Sequence, residues 1–334
     1  MKRFLLFVFL SVFLVGCTVE PNNQNSRTST QPTQPGASPA ASASAEPTKA
    51  VATASPSTEM LPGPNAIPKD TRVVVNIPAY RMDIFEDGAL VKSYKVGIGT
   101  PEFPLPTGLR EAESVIFNPT WTVPDEAWAE EMKNVKVGET VEAGSKNNPL
   151  GWIKIPIGLP NLIHGGKAPA KIGTFASHGC VGLTNAQVKD FAMRLAAAAG
   201  TEIDDAKVSE FLKVKTKTHE VKLEETIPVE LRYETIVVED GKLYIYKDVY
   251  EQNTNTEENL RSVLSAHGVT FEQLPPAKQA ELLKALKSPV AKKKETAIEI
   301  PTLAQKGYPA PVALDNGSGK PAPVAAANRP RTKP

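Results

Sequence analysis

"RVVVNIPAYRMDIFEDGALVKSYKVGIGT", residues 72–100, alternates β-branched and aromatic side chains with polar ones on both sides of Asp87-Gly88. Period-two alternation gives each strand one apolar face, and an Asp-Gly pair accepts the positive-φ geometry of a tight hairpin turn. The segment therefore predicts paired strands. A related pattern, "VELRYETIVVEDGKLYIYKDVY" at 229–250, repeats the signal with Asp240-Gly241 at the turn. Between them, "GWIKIPIGLPNLIHGG" at 151–166 reads as two short strands joined through 158–161. One helix is expected, with Val188, Phe191, Ala192, Leu195 and Ala196 on one face, Thr184 and Gln187 as a capping box and Gly200 as its stop. The chain is mainly β, with a helix after residue 184.

Outward from this core the composition changes. Residues 18–70 are rich in Pro, Ser, Thr, Ala, Asn and Gln, with too few large apolar side chains to offset the entropy of ordering, so they read as a disordered tether. About 50 residues of such chain span on the order of 40 Å. Ahead of it, residues 1–17 combine Lys2 and Arg3 with an apolar run ending in Gly16-Cys17, the pattern of a secretion signal. The main folded domain is expected over 71–250, with 201–226 as an insertion. Residues 251–289 have helical spacing and suggest a short appendage, and 290–334, rich in Lys, Pro and Ala, read as a disordered tail.

The 38 basic and 37 acidic residues nearly cancel, so no global field points to nucleic acid or to an acidic partner. The chemistry must be local, and it gathers around Cys180, one of two cysteines. A cysteine attacks as its thiolate, so its surroundings must favour that form and leave it accessible. Cys180 lies four residues before the expected N-cap, close to the positive end of a helix, with Gly179 and Gly182 beside it. Two histidines are candidate partners: His178 shares side-chain parity with Cys180 in an extended segment, and His164 must be brought across by the fold. His164, His178 and Cys180 could also be imagined around zinc, but no CxxC or HxxxH spacing supports a metal site, and no cofactor is called for.

"IHGGKAPAKIGTFASHGCVGL" at 163–183 resembles the active-site motif of the YkuD-type L,D-transpeptidases. The resemblance extends to "VGIGTPEFPLPTG", "NPTWTVP" and "NPLG", covering about 72–200 and again 227–250. It implies a mostly β, sandwich-like catalytic domain, an enzyme acting on peptidoglycan stem peptides. Cys180 is then the nucleophile toward residue three of a donor tetrapeptide, usually meso-diaminopimelate, and expels D-alanine to leave a thioester. His164 is the general base and acid, and the Gly165 carbonyl orients its ring. Ser177, His178 and Gly179 shape the pocket, and N–H groups near Gly179 and Cys180 hold the oxyanion. An amine of a second stem, or of a wall-attached protein, takes the acyl group; resolution by water gives a carboxypeptidase or amide hydrolase instead. A third alternative is a wall-binding lipoprotein with impaired catalysis. The resemblance of residues 14–17 to a lipobox implies lipidation of Cys17, a membrane anchor, and a location facing the periplasm or wall. One departure stands out. The family's usual arginine two residues after the nucleophile is Gly182 here, and Lys171, Arg194 or Lys167 could supply the missing charge.

Overall fold

The computed structural model describes residues 59–287, 295–300, 303 and 307–318. The signal segment and most of the tether lie outside the described residues.

The opening stretch forms β1 (Arg72–Asn76), β2 (Arg81–Glu86) and β3 (Ala89–Lys95), with Asp87 and Gly88 both at positive φ in the turn. Next come β4 (Ile98–Gly99), β5 (Gly108–Phe117), β6 (Trp121–Thr122), the single-turn α1 (Ala127–Glu130) and β7 (Thr140–Val141). The central part holds β8 (Ile153–Pro156), β9 (Leu162–His164), β10 (Phe175–Ser177), β11 (Val181–Gly182), α2 (Asn185–Ala198), α3 (Asp205–Lys213) and β12 (His219–Arg232). The last elements are β13 (Ile236–Glu239), β14 (Lys242–Tyr246), α4 (Glu257–Ala266), α5 (Pro276–Lys287) and β15 (Glu295–Glu299).

Eight strands make the main sheet in the order β11-β9-β8-β5-β12-β1-β2-β3. Its pairs are antiparallel except β1 with β12 and β9 with β11. Alternation sorts the side chains: Val73, Val75, Met82, Ile84, Val229 and Leu231 face the main core. Helix α2 covers this face with Val188, Phe191, Ala192, Leu195 and Ala196. It begins at a complete capping box, in which Thr184 and Gln187 exchange side-chain and backbone hydrogen bonds, worth about 1 kcal/mol. Buried Asp190 on α2 accepts from Tyr94 Oη at 2.6 Å and from Arg194 Nε at 3.1 Å, locking the helix to β3.

The segment 201–226 differs from its expectation as an insertion. Val208 on α3 belongs to the main core, and His219–Lys222 of β12 pair with Phe117–Ser114 of β5 before a register shift. Polar composition hid this, because only alternate residues of that strand half turn inward.

The opposite face of the sheet is covered as well. Here β13, β14 and β15 form a separate three-stranded sheet that packs with α4 and α5 around Ile236, Val238, Leu260, Leu264, Phe271, Leu282 and Ile298. The 229–250 signal therefore divides: its first part ends the main sheet, and its Asp240-Gly241 hairpin starts this second core. Residues 295–299, read from composition as disordered, form its third strand, and Tyr308 and Asp315 bridge back to Glu239 and Tyr94. The reason is local: Ile298 and Ile300 are spaced two apart and both are buried, a strand signal too short to register against the surrounding Lys and Pro. At the other end of the chain, Asn65 is buried within the span assigned to the tether. Its side chain donates to Ile236 O and accepts from Val238 N–H, acting as a short extra edge for β13.

Where the second core meets the main sheet, charges are buried in pairs. Arg81 donates to Asp83 at 2.8 Å and to Glu239 at 2.5 Å, bridging β2 to β13. Arg72 holds Glu230 at 2.8 Å, and Glu230 also accepts from Arg232 at 3.0 Å. Removing one partner of such a set leaves an uncompensated buried charge. Arg81→Ala is expected to cost about 3–5 kcal/mol of unfolding free energy in urea titrations, because Asp83 and Glu239 lose their shared cation.

Candidate active site

Strands β9 and β11 lie at one edge of the sheet, and their parallel register pairs Ile163 with Val181 and His164 with Gly182. Ile163 and Val181 point into the main core. By alternation, Leu162, His164, Cys180 and Gly182 share the other face. Cys180, immediately before β11, and His164, at the end of β9, therefore face the same surface. The excursion between β5 and β8 covers this surface, bringing Trp121, Val123, Ala129, Val135, Val141 and Leu150 together with Leu162, and half-buried Trp128, Met132 and Cys180 pack against them.

His164 is buried, and its Nδ1 lies 2.8 Å from the Gly165 carbonyl. A carbonyl only accepts, so Nδ1 carries the proton, and the lone pair of the neutral ring sits on Nε2. Burial, reinforced by the positive charge of Lys167, pulls the imidazole down to about 3, against the favourable carbonyls of Gly165 and Leu150. At neutral pH His164 is an uncharged base.

The turn 177–180 is held from several sides. Ser177 Oγ accepts from the Cys180 N–H at 3.1 Å and donates to the Cys180 carbonyl at 2.5 Å. Asn161 Nδ2 donates to the Gly179 carbonyl at 2.6 Å. The peptide between Gly179 and Cys180 is thus fixed at its carbonyl and at its N–H. This alters the expected oxyanion donors: the Cys180 N–H is occupied by Ser177, and among the described residues the Gly179 N–H has no hydrogen-bond partner. Gly179 adopts φ +90°, and Gly99 packs so closely that a Cβ on it would lie 2.9 Å from the Gly179 nitrogen. The loop carrying Gly99 is tied by Tyr250, whose hydroxyl donates to Gly99 O and accepts from Leu105 N–H.

His178 lies flat on Trp128, ring centres 4.0 Å apart and 3° from parallel, and meets Phe103 edge-on at 5.2 Å. Trp128 stacks in turn on Trp121 at 6.2 Å. These aromatics form an apolar wall beside the thiol, which spacing along the chain did not suggest. Asn161 was equally invisible, since only folding sets it beside Gly179.

The thiol differs from its expectation too. Burial pushes Cys180 up, and a hydrogen bond from the Leu162 backbone and the charge of Lys167 only partly oppose this. The start of α2 offers it little, because the Thr184 and Gln187 N–H groups are consumed by their own cap. Arg194 is engaged with Asp190 on the core side of α2 and has no access to this face. Among the described residues no group of three or more His, Cys, Asp or Glu converges as a metal site.

Residues 70–217 match the family model described as the L,D-transpeptidase catalytic domain, YkuD. This part of the chain is therefore similar to the YkuD-type L,D-transpeptidase catalytic domains. A similar protein is the probable L,D-transpeptidase ErfK/SrfK of Escherichia coli strain K12, 32% identical over 126 residues, which are 35% of this chain and 38% of that protein. The chain thus aligns with well under half of that relative's length. Among solved structures it is similar to the catalytic domain of the E. faecium L,D-transpeptidase, at 17% identity and TM-score 0.29, covering 49% of this chain and 98% of that one. An L,D-transpeptidase from Mycobacterium smegmatis is similar at 15% identity and TM-score 0.28, covering 49% and 58%. Within the matched residues, β9 carries His164, β10 ends at Ser177 and β11 holds Val181 and Gly182.

The depressed imidazole has a consequence for stability. The unfolded chain binds a proton at His164 near pH 6.5, and the folded protein refuses it until about pH 3, so stability is full above the first value and falls as acid is added between the two. Thermal melts from pH 7 to pH 4 are expected to show a steeper loss for the native protein than for His164→Asn.

Proposed function

We propose that the protein is a peptidoglycan L,D-transpeptidase with Cys180 as nucleophile and His164 as proton shuttle. The Cys180 sulfur attacks the carbonyl of residue three of a donor tetrapeptide stem, meso-diaminopimelate in our reading. His164 Nε2 accepts the thiol proton as the C–S bond forms. The same proton passes to the nitrogen of the departing D-alanine as the amide bond breaks, leaving a thioester. An acceptor amine then attacks the thioester carbonyl, gives up its proton to His164 and expels the thiolate, which is reprotonated. No nucleotide is consumed, because the thioester keeps the acyl group activated. The Gly179 N–H is the backbone donor available to the oxyanion.

The observation that carries this reading is the register of β9 with β11, which gives His164 and Cys180 a common face. A neutral imidazole beside a protonated thiol also suits transfer of the proton during attack, rather than a standing ion pair.

Purified full-length protein is expected to convert tetrapeptide muropeptides into 3→3 linked dimers through a Cys180 adduct detectable by mass. Cys180→Ala should abolish both, and His164→Ala should slow turnover by about 10²–10⁴-fold. Tripeptide monomer as the sole product would instead identify a hydrolase, and wall binding without an adduct a non-catalytic grip.

The same proposal includes an exported, membrane-anchored lipoprotein facing the periplasm or wall, with Cys17 lipidated and residues 18–70 giving the domain reach. In cells fed a labelled fatty acid, label on the protein is expected to disappear in Cys17→Ala.

A further inference from the structure

The replacement of the family's usual arginine by Gly182 leaves a question of charge, and the strand register makes it spatial. Residue 182 is level with His164, so any side chain there projects onto the face shared by His164 and Cys180. That space is filled from elsewhere. A Cβ on Gly182 would come within 2.9 Å of both Cγ and Cε of Lys167 and 3.4 Å of its Cδ. The lysine stem thus lies along the very path a side chain at 182 would take.

Lys167 reaches this position from the connection after β9. Its backbone N–H donates to the Leu183 carbonyl at 3.0 Å, pinning it to the end of β11. Among the described residues its ammonium has no hydrogen bond or ion pair. The other candidate cations do not share this place: Lys171 is exposed, and Arg194 belongs to the core side of the helix.

We propose that Lys167 is the cation of this active site, its stem occupying the room that Gly182 leaves and its charge stabilising the Cys180 thiolate during catalysis. Lys167 and Gly182 then form one unit, because a larger residue at 182 would displace the lysine stem. The titratable groups around the unit are Cys180, His164, His178 and Lys171. Burial lowers both histidines and Lys167 itself; against this background Cys180 and Lys167 favour each other's charged forms, and the lysine adds to the lowering of both histidines. One charge therefore assists release of the thiol proton and keeps His164 unprotonated until it receives that proton. Lys167 acts through the thiol and is a positioning residue.

This inference rests on Cys180 as the nucleophile, so its test reads the thiol directly. The rate of iodoacetamide alkylation of Cys180 is followed against pH on the full chain, by mass of the peptide 172–189, alongside thermal melting and dimer formation. In Lys167→Met the midpoint of the profile is expected to move to higher pH and the rate at pH 7 to fall about tenfold, with Lys167→Arg close to native. Gly182→Arg alone should impair both alkylation and turnover, and Lys167→Ala with Gly182→Arg should recover them to within about threefold of native. A Lys167→Met profile that overlays the native one in a normally melting protein overturns the proposal. So does an equal defect of Gly182→Arg with and without Lys167. Should Cys180→Ser retain dimer formation, the nucleophile assignment itself fails; a Cys180-dependent activity with an unmoved Lys167→Met profile removes only the role of the lysine.

Discussion

The parallel pairing of β9 with β11 sets His164 level with Gly182 and turns Cys180 onto the same surface. Both strands are short and lie at the sheet edge, so few hydrogen bonds hold them to each other. Their position is secured by side chains that alternate the other way: Ile163 and Val181 are completely buried in the main core. His164 and Cys180 thus each have an apolar neighbour in sequence that anchors them. The geometry of the site is a consequence of core packing one residue away.

The two faces of the sheet serve different purposes. One is a continuous apolar core under α2. The other is divided between two additions, the aromatic-rich excursion beside the thiol and the second core beyond β12. The second core is joined through a small apolar cluster of Val74, Phe85, Val237, Tyr246 and Tyr308 and through ion pairs centred on Arg72 and Arg81. Desolvating such charges is costly unless every partner is in place, so this junction tolerates one arrangement rather than many. Tyr250, just past β14, extends the influence of that junction to Gly99 and thence to the backbone of Gly179.

Electrostatics in the site work by mutual constraint. Burial alone opposes charge on both Cys180 and His164, leaving a neutral thiol and a neutral imidazole at rest. The oriented polar groups break this symmetry: the Gly165 carbonyl selects the tautomer of His164, and Ser177 and Asn161 hold the peptide between Gly179 and Cys180. Such pre-set dipoles assist a reaction because they need not reorganise as charge develops.

Strands at 72–100, the paired strands at 151–166 and the capped helix after Thr184 were legible because period-two and 3.6-residue patterns, Asp-Gly and Thr-x-x-Gln act locally. The reach of His164 toward Cys180 came from family resemblance, and no local rule could have supplied it. Residues 295–299 and Asn65 escaped notice because composition averages over the two or three side chains that turn inward. Trp128 against His178, Asn161 on Gly179 and Lys167 across Gly182 depend on contacts between residues 15 to 50 apart in the chain. A sequence fixes which residues carry apolar surface, turn geometry or a nucleophilic sulfur, since these are properties of single side chains and near neighbours. Which cation faces the sulfur, and which N–H remains free for an oxyanion, is settled only when strand register and side-chain volume compete for the same space.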